Sequence, residues 1–82
     1  MPGETTEVRR WWGRFESGDE IKVDPAGPRI ELLDESFHRL ARDLRSGGLR
    51  LARTGIVYFQ IHGMGEAHIL VTRRSSWFLQ VA

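Results

Sequence analysis

The chain has 82 residues, no cysteine, and 12 basic against 11 acidic side chains, a formal net charge of +1. A chain of this length buries roughly 60% of the surface that its unfolded form exposes, enough for one small core and no more. The composition excludes disulfide staples and thiolate metal sites, and the 40% apolar content and three tryptophans exclude a disordered chain.

A dedicated duplex-DNA binder usually carries a stronger basic excess than this. Arginine outnumbers lysine eleven to one, which follows from a GC-rich genome or from a use for planar, bidentate cations. No apolar run approaches the ~20 residues of a membrane helix, and the start "MPGETTEVRR" lacks a signal-peptide core. The expectation is a single globular domain over residues 1–82, soluble and cytoplasmic, with no repeat and no interdomain linker.

The first segment, "TTEVRRWWGRFESG", places Val8, Trp11, Trp12 and Phe15 at i, i+3, i+4 and i+7, one stripe of a helix. Thr5 or Thr6 would cap it and Gly18 would end it. Gly13 inside it costs about 1 kcal/mol relative to alanine. A strand is the alternative, since Val8, Arg10 and Trp12 also alternate. "DEIKVDPAGPRIELL" then reads as a small hairpin of two short strands. Ile21, Val23, Ile30 and Leu32 share one face, and "DPAGP" makes the turn.

"DESFHRLARDLRSGG" has the strongest helix signature, over 34–46. Asp34 or Ser36 caps it, Phe37, Leu40, Ala41 and Leu44 form its stripe, and Gly47 and Gly48 stop it. Residues 49–82 read as an antiparallel meander. Leu51 pairs with Val57 and Leu49 with Phe59. A tight turn Gly63-Met64-Gly65 then sets Val57, Phe59 and Ile61 beside Ala67, Ile69 and Val71. A last strand adds Trp77, Leu79 and Val81. The fold class that follows is α+β: one main helix packed on a four-stranded antiparallel meander, with an N-terminal tryptophan-rich segment, read as helical, and a small hairpin.

This register decides how "QIHGMGEAH", residues 60–68, is read. It puts His62, Glu66 and His68 on the face opposite the apolar row, where two imidazoles and a carboxylate are candidate ligands for a divalent metal. The plainer reading is a polar row at a hairpin tip, and no metal or other cofactor is expected. The glycines do not form a phosphate loop, because the segment joins two strands where a dinucleotide fingerprint must open a helix. Ser75, Ser76, and the acidic pairs Asp19–Glu20 and Asp34–Glu35 sit at turns and caps without an assigned base. No catalytic set stands out, and the chain is read as non-enzymatic.

The same register aligns Arg50, Tyr58, Leu70 and Phe78 across the outer face, beside Gln60, His68 and Gln80. The N-terminal Trp11/Trp12/Phe15 segment covers this row, or the row serves a partner. As a partner site, it takes a protein or a second copy, since exposed aromatics and arginines mark interfaces. The last strand's edge is a further pairing site for a homodimer. Alternatively the row stacks the bases of single-stranded nucleic acid, with Arg9, Arg10, Arg14, Arg50, Arg73 and Arg74 holding phosphates. The expected role is a stand-alone protein-binding module. The partner-binding residues are Arg50, Tyr58, Leu70, Phe78, Trp11 and Trp12, and single-stranded nucleic acid is the alternative ligand.

Overall fold

The computed structural model describes residues 7–73. Among them the chain is nearly all β. Seven strands run in the order β1 (Val8–Phe15), β2 (Glu20–Val23), β3 (Arg29–Leu33), β4 (Arg39–Ala41), β5 (Leu49–Arg50), β6 (Gly55–His62) and β7 (Ile69–Thr72), and the helical content is a 3₁₀ turn at Leu44–Ser46. They form two antiparallel sheets, a four-stranded one ordered β1-β6-β3-β4 and a three-stranded one ordered β5-β2-β7. Apart from β3 and β4, consecutive strands do not pair. Every other connection carries the chain from one sheet to the other.

Both sheets turn an apolar face to one shared core. Phe15, Ile30, Leu32, Val57, Phe59 and Ile61 come from the first sheet and Ile21 from the second, and Leu44 and Leu51 come from the connections. Phe59 is fully buried at the centre. Its ring lies 5.0 Å from Trp11 and 5.8 Å from Phe15, in tilted and edge-on arrangements that suit the ring quadrupoles. Gly13 is explained by this cluster. A Cβ there would meet the Phe15 ring at 3.1 Å and the Trp11 ring at 3.5 Å, so the glycine lets two aromatic rings close over the strand.

The turn from β1 to β2 is tied from within and from without. Gly18, at φ +92, supplies the left-handed corner. The Glu16 amide donates to the carboxylate of Asp19 at 2.9 Å, Arg73 Nε reaches the same carboxylate oxygen at 3.3 Å, and Leu51 exchanges backbone bonds with Gly18 and Asp19. Asp19 is buried, and its carboxylate is tolerated there because Oδ2 meets both an amide and a guanidinium.

The α+β expectation is overturned. Neither proposed helix forms. The N-terminal segment is strand β1, which pairs along its whole length with β6, from Val8 opposite His62 to Phe15 opposite Gly55. Its alternation outweighed its helical spacing, because Trp11 and Phe15 both reach Phe59 when they stand on the same side of a strand. Residues 34–46 become a tight turn, strand β4 and the 3₁₀ turn. Asp34, the expected helix cap, accepts bonds from the Ser36 and His38 amides at 2.9 Å, and its own amide donates to His38 O. Asp34 thus offers its backbone neighbours an alternative to a helix. Of the expected helical stripe only Leu44 is buried, while Phe37 and Leu40 are exposed.

The pairing scheme differs as well. The two strands around "DPAGP" do not make a hairpin. β2 pairs with β5 and β7, and β3 with β4 and β6. The meander is likewise replaced, because β5, β6 and β7 never pair with one another. The expected last strand, with Phe78, Trp77, Leu79 and Val81, lies outside the described residues.

Two measurements check this fold. Far-ultraviolet circular dichroism should give a β spectrum without the helical double minimum that a helix over 34–46 would add. Phe59→Ala should cost about 3–5 kcal/mol in urea unfolding, since it empties the centre of the core. A cost under 1 kcal/mol, on the order of an exposed site, would contradict the placement of Phe59.

Candidate functional site

Residues directly opposite one another in an antiparallel pair share a face, so the β1, β3 and β4 registers define the outer surface of the four-stranded sheet. One row across it is Trp12, Tyr58, Leu33 and Arg39. A second is Arg10, Gln60 and Glu31, and a third is Val8, His62 and Arg29. Arg14, opposite Ile56, extends the face beyond Trp12. Trp12 is 59% exposed and stands between Arg10 and Arg14 on its own strand. Each guanidinium root is two residues, about 7 Å, from the indole root. Among the described residues, neither of these arginines has an ion-pair partner.

Glu31 is the one acidic side chain that these rows contain, and it is committed. Arg39 Nε donates to its Oε2 at 2.7 Å, and His62 Nε2 lies 3.2 Å from its Oε1. A carboxylate only accepts, so this contact needs the proton on Nε2 of His62. Burial raises the Glu31 pKa, but the hydrogen bonds from His62 and Arg39 outweigh it and hold the carboxyl below its ordinary value. Arg29 donates to the backbone of Arg42.

Phe37 completes the face. It sits in the β3–β4 turn, and its ring stacks on Tyr58 at 4.8 Å, 28° from parallel. Its backbone is at φ +64, the one non-glycine residue in the described chain with positive φ. For a bulky L-residue this costs about 1–2 kcal/mol. The ring stack is worth about 0.5–1.5 kcal/mol beyond its area, so the two nearly offset each other. Phe37 remains 58% exposed. Leu33, opposite Tyr58, is buried although it faces away from the main core, so this side of the sheet has a small apolar patch of its own.

The residues expected to act together are dispersed. Of the row Arg50, Tyr58, Leu70 and Phe78, Tyr58 is on the four-stranded sheet. Arg50 and Leu70 belong to β5 and β7 of the other sheet, and Phe78 lies outside the described residues. Trp12 stands directly across from Tyr58 in register, and Trp11 packs on Phe59. His62, Glu66 and His68 line one open cavity beside Asp24 and Pro28, but their side chains pair separately. His62 turns to Glu31 and His68 pairs with Glu66 at 3.2 Å on an exposed connection. Among the described residues no group of three His, Asp or Glu side chains is placed to hold a metal ion. Gly63, at φ +117, makes the bend after β6. Arg9 stands opposite inward-facing Ile61, off the outer face, and donates to the carbonyls of Gly63 and Gly65. Arg73 is held by Asp19, and Arg74 lies outside the described residues.

Phe37, Leu33, Glu31 and Arg39 were assigned no site role from sequence. The signal that finds part of this face is the strand alternation Arg10, Trp12, Arg14, which is visible in "RRWWGR". Phe37 carries no such signal, because a turn with positive φ at phenylalanine runs against residue preference.

No helix among the described residues is long and apolar enough to cross a membrane. Comparison with protein-family models, curated proteins and solved structures finds no match to this chain.

The Glu31 contacts predict a pH dependence. A carboxyl whose pKa is depressed by folding adds stability that is complete above its unfolded value of about 4.3. That stability is lost as pH falls through the folded value. Wild type should melt above Glu31→Gln at neutral pH, and the gap should close as the pH drops below about 4. A gap independent of pH would mean that Glu31 stabilises by packing and not by charge.

Proposed function

We propose that this chain is a non-enzymatic binding module whose ligand is single-stranded nucleic acid, taken on the outer face of the four-stranded sheet. One observation carries the reading: exposed Trp12 stands on β1 between Arg10 and Arg14, directly across from Tyr58. A ring flanked on both sides by planar cations is the arrangement that stacks a base while the neighbouring phosphates are neutralised.

The net charge of +1 argues weakly against this when taken as an average. Its distribution argues for it. The outer rows hold Arg10, Arg14, Arg29 and Arg39 against Glu31 alone, and the acidic residues Asp19, Asp24, Asp34 and Asp43 sit at turns and connections. The sequence reading puts a protein partner on Arg50, Tyr58, Leu70, Phe78, Trp11 and Trp12, of which Tyr58 and Trp12 are on this face. Uncommitted arginines beside an exposed indole suit a polyanion better, because a protein surface must supply a matched acid for each guanidinium it buries.

The test is fluorescence anisotropy of a labelled oligothymidylate over a series of salt concentrations. Affinity should fall steeply with salt. Trp12→Ala should weaken binding about five- to hundredfold, the range of one base–aromatic stack. Arg10→Ala should lower the steepness of the log–log salt plot by about 0.7, one single-strand phosphate. Leu70→Ala, on the other sheet, should change neither. Binding that ignores Trp12→Ala, or no binding at low salt, would overturn the nucleic-acid reading and leave the face to a protein partner.

A further inference from the structure

Three features meet at Phe37. Its ring covers Tyr58 in a near-parallel stack, its backbone is in a conformation that bulky residues avoid, and its side chain is largely exposed. A residue placed there only to seal the sheet would be buried. A residue placed there only to turn the chain would be glycine or asparagine. The turn does not need the ring to hold its shape, since Asp34 closes it through the Ser36, Phe37 and His38 amides and the His38 carbonyl.

We infer that Phe37 is an internal stand-in for a ligand base: it occupies the stacking position over Tyr58 in the free protein and swings off when a base takes that place. The inference rests on the nucleic-acid reading of this face and specifies how the face is regulated. Tyr58 lies directly opposite Trp12, so a strand with one base on Trp12 meets its next aromatic platform at Tyr58, where Phe37 already sits. The Asp34 bonds hold the turn's backbone whether the ring is on or off, so the stack alone opposes release. The free protein thus keeps Tyr58 covered by a side chain that a ligand displaces at the cost of one ring stack.

The experiment measures oligothymidylate affinity for Phe37→Gly and Phe37→Asn beside wild type. Both substitutes tolerate positive φ and remove the ring. Each variant should bind about two- to tenfold tighter, the range of the stack that no longer competes. Weaker binding would overturn the inference, because Phe37 would then be part of the platform. Unchanged binding would overturn it too, because Phe37 would then stand outside the site. If wild type and both variants fail to bind while Tyr58 is accessible in the variants, the nucleic-acid reading falls and the stand-in role falls with it. Accessibility is read independently of any ligand by the rate of tyrosine nitration. Tyr58 is the only tyrosine, so the signal has one source, and it should rise when Phe37 is replaced. An unchanged rate would show that Phe37 does not cover Tyr58, which would also overturn the inference.

Discussion

Strand β6 is paired on both sides, to β1 and to β3, and this double pairing is the constraint from which the structure follows. Its eight residues alternate between two environments. Val57, Phe59 and Ile61 point into the core, while Tyr58, Gln60 and His62 point out. A slip by one residue would bury His62 and Gln60 and expose Phe59. The register that protects the core is therefore the register that sets Tyr58 across from Trp12 and His62 within reach of Glu31. Core and candidate site are two sides of one strand.

The remaining strands are arranged by what β6 and its core require. The connections pass between sheets, so each short strand can contribute to the core without pairing with its neighbour in sequence. Asp19, Asp24, Asp34 and Asp43 each accept a bond from a nearby backbone amide. These short acidic side chains compete with regular structure for the backbone, which makes a chain of abrupt turns feasible. At 34–46 the competition decides the fold. A thirteen-residue helix would be marginal by itself, whereas β4 finds backbone partners in Leu32 and Leu33 and Leu44 still reaches the core.

The outer face shows how a nearly neutral protein carries a locally cationic surface. Arg10, Arg14, Arg29 and Arg39 stand on its strands, the aspartates stand at turns and connections, and Glu31 is neutralised by Arg39 and His62. Phe37 belongs to the same economy of a small domain. With only one modest core, an apolar patch on the second face needs a cover, and a strained, exposed phenylalanine is a cover held with little net free energy.

Local features were legible in the sequence: the inward series Val57, Phe59 and Ile61, the buried Ile21, Ile30 and Leu32, the bend at "DPAGP" and the positive-φ bend at Gly63. Each depends on a residue and its near neighbours, through side-chain alternation or glycine's backbone freedom. Partner choice was not legible. "RRWWGR" and "SFHRLARDL" satisfy helical and extended spacing alike, and only burial against Phe59 and pairing with β6 and β3 select the strand. Those partners are distant in the chain, such as Trp12 and Tyr58, and no local pattern encodes which strands meet. The sequence by itself determined which side chains turn inward along β6 and where the chain bends. The tertiary structure decided which strands lie side by side, and so which aromatics and arginines share a face, because pairing energy is realised only when the whole core closes.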